Sequence, residues 1–193
     1  GMVGIYLMPA DMYSGASPAD TMSALVPADL TIENGDISIQ ANGTMGVGIA
    51  VMGDVTIKGG SLDIAIDNAM MGRGITSQMG DIVIEDGNLN IAVAGQFTSD
   101  GITSTNGNIE ISGGTIAIDA EEAVCTDEGS ITISGGDLTI DVESDGLYAE
   151  IGDITISGGN ITITGTVYVD FCIHINLVAL AIHGWVLDLI VYD

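Results

Sequence analysis

Twenty-seven Asp and Glu side chains stand against two basic ones, Lys58 and Arg73, so any chemistry this chain performs is carboxylate chemistry. Carboxylates hold hard cations, accept hydrogen bonds from hydroxyl groups, and in pairs act as acid and base. The acids recur at regular intervals. Asp29, Asp54, Asp81 and Asp153 fall in one column with Asn108 and Ser130, most of them just after a glycine. Their short side chains are expected to accept hydrogen bonds from their own turns. Alternatively, Asp54 and Asp81, stacked on neighbouring coils, repel each other unless a cation sits between them. A second column runs Val47, Arg73, Asp100, Glu122, Asp145. Arg73 and Asp100 form an ion pair on this reading, leaving Asp100, Glu122 and Asp145 as a stripe with no further basic neighbour. The third column, Asp119 and Asp141, leads into two acidic loops, so that Asp119, Glu121, Glu122, Asp141, Glu143 and Asp145 gather on one corner of two adjacent coils. Ca²⁺ takes six to eight oxygens. The candidate ligands are therefore Asp54, Asp81, Asp100, Asp119, Glu121, Glu122, Asp141, Glu143 and Asp145, the alternative being a solvated acidic rim.

Other chemistries find less support. Proton abstraction from an acidic polysaccharide needs a basic residue, and neither Lys58 nor Arg73 has a supporting cluster. Hydrolysis by paired carboxylates depends on separations that sequence does not give. His174 and His183 lie in an apolar tail, where a packed imidazole is the simpler reading. A formal net charge of −25 argues against nucleic acid and against an anionic membrane surface, both of which require Lys and Arg.

The elements that must position these acids are repeats. Gly129 to Ile140 reads GSITISGGDLTI: two short alternating strands around a Gly135-Gly136 turn. The pattern recurs at 53–64, 80–91, 107–118 and 152–163, with a weaker copy at 28–39. Taking the last glycine of each turn as marker gives Gly35, Gly60, Gly87, Gly114, Gly136 and Gly159, spaced 25, 27, 27, 22 and 23 residues apart. A third apolar element follows in each unit, at Ile49, Ile75, Ile102, Val124 and Leu147. Three short strands per unit, without a 3.6-residue apolar period, predict an all-β solenoid: a right-handed, single-stranded parallel β-helix of about six coils of 22–27 residues. Each strand then pairs with its equivalent one coil away, at about 4.8 Å. Thr31, Thr56, Thr132 and Thr155 fall on outward positions, where threonine serves strand propensity.

The predicted organisation is an irregular N-terminal cap over 1–27, repeats over 28–165, and an apolar C-terminal strand pair or cap over 166–193. Gly1-Met2 reads as a tag remnant, and 1–27 lack the positive segment of a signal peptide. Within the tail, Val167 to Leu177 alternate as a strand does, and His183-Gly184 is a candidate turn. A membrane helix over 171–192 is disfavoured by His174, Asn176, His183 and Asp188 and by the lack of flanking Lys or Arg. Cys125 and Cys172 either bridge or remain free thiols.

The units with Ser99-Asp-Gly-Ile102 and Ser144-Asp-Gly-Leu147 resemble a family of bacterial secreted carbohydrate-binding domain-containing proteins related to pectate-lyase-like β-helices. The resemblance covers about 28–165 and implies a right-handed parallel β-helix, an extracellular or cell-surface location, bound Ca²⁺, and non-catalytic binding of an acidic polysaccharide such as polygalacturonate. A protein this negative repels a polyanion, so such binding would run through Ca²⁺ bridges. The expectations from other classes are a structural, adhesin-like surface module, with residues 171–193 serving self-association, and a polysaccharide lyase or hydrolase.

Overall fold

The computed structural model describes residues 5–7, 28–42, 44–166, 173–175 and 179–183. Described strands are β1 (Ile5–Leu7), β2 (Leu30–Ile32), β3 (Asp36–Asn42), β4 (Met45–Val51), β5 (Val55–Ile57), β6 (Ser61–Ser77), β7 (Ile82–Ile84), β8 (Asn88–Ser104) and β9 (Ile109–Ile111). They continue as β10 (Thr115–Ala120), β11 (Glu122–Thr126), β12 (Ile131–Ile133), β13 (Asp137–Asp145), β14 (Leu147–Ala149), β15 (Ile154–Ile156), β16 (Asn160–Thr166), β17 (Ile173–Ile175) and β18 (Ala179–His183). All described pairings are parallel, and they join equivalent positions of successive repeats. The chain is a β-solenoid of about five turns. Six repeats yield about five turns because their six corner glycines bound five intervals.

Alternation explains the core. In β12 and β15 the isoleucines Ile131, Ile133, Ile154 and Ile156 are buried, while Thr132 and Thr155 between them face outward. Isoleucine columns such as Ile64, Ile91, Ile118, Ile140 and Ile163 then stack coil on coil through the interior. Each buried isoleucine contributes about 1.5–3 kcal/mol of transfer free energy, and its branched Cβ suits the extended backbone.

Among the described residues the six marker glycines are the ones with positive φ, at Gly35, Gly60, Gly87, Gly114, Gly136 and Gly159. Gly114 shows why: its φ is +88°, and an added Cβ would lie 2.8 Å from the carbonyl oxygen of Gly87 in the coil before. Both the left-handed conformation and the close stacking exclude a side chain there.

Two expectations change. The three short strands per coil are not always separate: the second and third elements fuse into the 17-residue strands β6 and β8, because the chain rounds that corner on bulges without breaking its ladder. The apolar tail does not form a strand pair of its own in its described parts. β17 pairs with β15 and β18 with β16, so both sheets continue, and His183, expected at a turn, pairs with Thr164. Among the described residues no helix is long and apolar enough to cross a membrane. The predicted boundary at 27 and the remainder of both ends lie outside the described residues, while position 165 falls inside β16.

Candidate functional site

The register brings the expected columns together. Val47 pairs with Arg73, Arg73 with Asp100, and Asp100 with Glu122. The pairing of Val124 with Leu147 carries the column on towards Asp145. Asp119 and Asp141 are direct partners. Arg73 Nε lies 3.4 Å from Asp100 Oδ2, confirming the ion pair. Asp100 is 6% exposed, so this pair is not the freely solvated contact that exposed ion pairs usually are.

Burial sets the electrostatics of the stripe. It pushes the Asp100 carboxyl up to about 6, with Arg73 opposing and Glu122 and Glu121 reinforcing the rise. Glu122 is likewise raised by burial and by Asp145, against a hydrogen bond from Cys125, whose Sγ donates to Glu122 Oε2 at 3.5 Å. Asp145 is raised by burial, with the Ser144 hydroxyl, 3.3 Å from Oδ2, pulling the other way. Burial and the nearby carboxylates push the Cys125 thiol well up, so it stays protonated and unreactive. Cys125 is free and buried; Cys172 lies outside the described residues. Thr103, the register partner of Cys125, has a buried Oγ1 with no hydrogen-bond partner.

The column of Asp54 and Asp81 corrects the expectation of hydrogen bonds within each turn. Asp29 Oδ1 accepts the N–H of Asp54 at 2.9 Å, Asp54 Oδ1 that of Asp81 at 2.9 Å, and Asp81 Oδ1 that of Asn108 at 2.7 Å. Asn108 Oδ1 and Ser130 Oγ continue the series to the N–H groups of Ser130 and Asp153. Each side chain thus binds the following coil rather than its own, because the opening glycine brings that coil's backbone within hydrogen-bond distance. Asp63 and Asp137 are matched similarly, by Asn90 Nδ2 at 2.7 Å and Asn160 Nδ2 at 2.6 Å. Lys58 is bound to Glu33 at 2.9 Å.

The corner acids lack such donors. Among the described residues Asp119, Asp141 and Glu143 accept no hydrogen bond, and all three are exposed. Asp119 and Asp141 also sit side by side, where like charges repel. Among the described residues no three acids, histidines or cysteines are arranged to hold a metal ion. The protein carboxylates thus do not form a complete cation cage; any ion here would draw further oxygens from water or a ligand.

Two features escaped sequence reading. Ser77, Ser104 and Thr126 are buried, and each is three residues before a repeat's opening glycine. Ser77 Oγ donates to the Gly53 carbonyl and accepts the Gly80 N–H; Ser104 and Thr126 repeat this one coil on. On β8, Phe97 stands 69% exposed, with exposed Met70 and Met71 across the register on β6 and exposed Met45 paired with Met71 one coil before.

A family model described as carbohydrate-binding domain-containing protein matches residues 53–170, more than half of the chain, and its span includes the whole acidic corner. The chain belongs to this family. Its membership associates the β-solenoid with glycan binding. Comparison with curated proteins and with solved structures gave no match.

Proposed function

We propose that this carbohydrate-binding domain is a non-catalytic binder of acidic polysaccharide, of the polygalacturonate type, acting at the cell surface or outside the cell. The observation that carries the reading is the coincidence of the family match with the corner where Asp119, Glu121, Asp141 and Glu143 are left without basic partners. A uronate chain meeting that corner would be repelled. Ca²⁺ shared between protein and ligand carboxylates removes the repulsion, and the ligand's own oxygens complete a shell that the protein alone does not supply. The residues that would hold such ions are Glu121, Glu122, Glu143 and Asp145, with Asp119 and Asp141 beside them; Asp54 and Asp81 are already committed to backbone donors of the next coil. A binding role also fits the side chains present, since Lys58 and Arg73 are each paired with a carboxylate.

Calorimetric titration with polygalacturonate tests this. Binding is expected with Ca²⁺ and is expected to weaken at least about tenfold in excess chelator, a difference of about 1.4 kcal/mol. Undiminished binding in chelator would sink the calcium bridge while leaving glycan binding in place.

A further inference from the structure

We propose that Phe97 is the platform on which a sugar ring of the bound glycan stacks, an inference that rests on the glycan-binding reading above. Its local structure is built to present it. Between Ala69, paired with Gly95, and Met71, paired with Thr98, the single residue Met70 faces both Gln96 and Phe97. That two-against-one bulge is the kind that turns a side chain out of a sheet, often beside a functional site. The preceding step bulges the other way, Asp67 and Asn68 facing Ala94, with Asn68 at φ 55°. The bulged stretch of β8 carrying Phe97 is pinned at its base, where the buried Ser99 hydroxyl donates to the Val93 carbonyl. At Gly95 an added Cβ would collide with the Thr98 carbonyl, so the backbone bends tightly between these two residues, with Gln96 and Phe97 in the bend.

The next coil lacks this bulged stretch. Ala92 pairs with Asp119 and Asp100 with Glu122, so residues 93–99 on one coil correspond to Ala120 and Glu121 alone on the next. The longer stretch of β8 has no counterpart on the shorter coil, and the register therefore implies a step between the two coils, with Phe97 on its longer side and Glu121 of the acidic corner on its shorter side. The two sides are joined directly, since the Glu121 N–H donates to the Ser99 carbonyl at 2.8 Å. Met45, Met70 and Met71 continue the apolar side over the two preceding coils.

A step of this kind suits a pyranose. The ring has a face of C–H groups, slightly positive, that packs against the negative face of an aromatic ring. Its edge carries hydroxyl and carboxylate oxygens directed at the acidic side. Because the residues on either side of Phe97 are held in the ladder with β6, little backbone freedom is lost on binding. The ligand class is thus a polymer of pyranoses with one contiguous C–H face, stacked on Phe97 and running on along the acidic corner.

The test uses the full chain with hexamers of galacturonate and of β-1,4-linked glucose as probes, with Ca²⁺ present. Phe97→Ala is expected to weaken the hexamer that binds by about tenfold, while Phe97→Trp retains it. Thermal melts should match the wild type, since the side chain is largely exposed. In proton NMR, ring C–H signals of the sugar should move upfield on binding wild type and Phe97→Trp, but not Phe97→Leu, which keeps the apolar surface and loses the ring. Binding by Phe97→Ala within twofold of wild type, in a protein whose Glu122→Gln variant binds weakly, overturns the platform and leaves the glycan site standing. Loss of self-association in place of glycan affinity would make the apolar side a protein contact and also overturn it. If neither hexamer binds wild type, the glycan reading falls and the platform with it.

Discussion

Replacing Asp100 by Asn should make the protein less sensitive to pH. The carboxyl of Asp100 is raised from 3.8 to about 6 in the fold, chiefly by burial. A group whose pKa is raised on folding adds stability that is fully present below its unfolded value and is lost as pH rises through its folded value. For Asp100 that window runs from about pH 4 to about pH 7. A shift of this size corresponds to about 3 kcal/mol, and solvent screening of a partly accessible pair with Arg73 reduces it to roughly 1–2 kcal/mol. In a chain of this length each kcal/mol moves the melting temperature by about 2–4 °C. Asn keeps the shape and carries no charge to desolvate, while Arg73, 46% exposed, stays hydrated without its partner. Thermal melts of wild type and Asp100→Asn at pH 4.5, 6 and 7.5, in chelator to keep cations out, give the measurement. Little difference is expected at pH 4.5, and the variant should gain about 2–8 °C over wild type by pH 7.5. Asp141→Asn, on the exposed face, controls for the loss of one negative charge. A difference that stays flat with pH, or a variant several degrees less stable at pH 7.5, would show that the Arg73 ion pair outweighs the cost of burial.

The corners and the buried hydroxyls offer further tests, alongside the chelator and Phe97 experiments. Gly35→Ala and Gly114→Ala both place a side chain at positive φ, costing about 1–2 kcal/mol, but only Gly114 has a carbonyl in the way. Urea denaturation should show Gly114→Ala worse by about 1–3 kcal/mol, and equal losses would refute the stacking argument. Ser104→Ala leaves the Gly80 carbonyl and the Gly107 N–H without their buried partner and should cost about 1–3 kcal/mol. Ser104→Thr should be nearly neutral, since Thr126 fills the equivalent place. Thr103→Val should likewise cost nothing measurable, because its Oγ1 makes no hydrogen bond to lose.

Much of this architecture was legible because a solenoid repeats its own instructions. Six glycines marked the corners, and all six take the positive φ that the corner requires. The alignment of units predicted that Arg73 would meet Asp100 and Asp119 would meet Asp141, as they do. The direction of a short side chain was not legible: Asp54 reaches forward to the next coil, and residue type does not distinguish that from a bond to its own turn. The hydroxyl series at Ser77, Ser104 and Thr126 did leave a signal, in its constant place three residues before a glycine. The step at Phe97 left only a length, 27 residues between markers falling to 22. Length shows that residues are inserted; where the bulge puts them, and which side chain it turns outward, depends on the pairing of two coils.

A net charge of −25 works against compaction, and the fold answers it unevenly along its length. Asp29, Asp54 and Asp81 each receive a backbone N–H from the following coil, and Asp63 and Asp137 receive side-chain amides. These carboxylates stitch the coils together, so their charge is matched by dipoles that the stacking itself supplies. At Asp119 and Asp141 the same stacking puts acid beside acid with no donor between them. Stability alone would favour an amide at one of the two positions, as Asn90 and Asn160 show for their own columns. Retaining both charges costs folding free energy at a corner that lies within the family match and begins one coil on from an exposed aromatic ring. A ligand or cation that supplies the missing positive charge recovers that cost on binding, so the unmatched acids, rather than the many matched ones, are where binding should stabilise the protein.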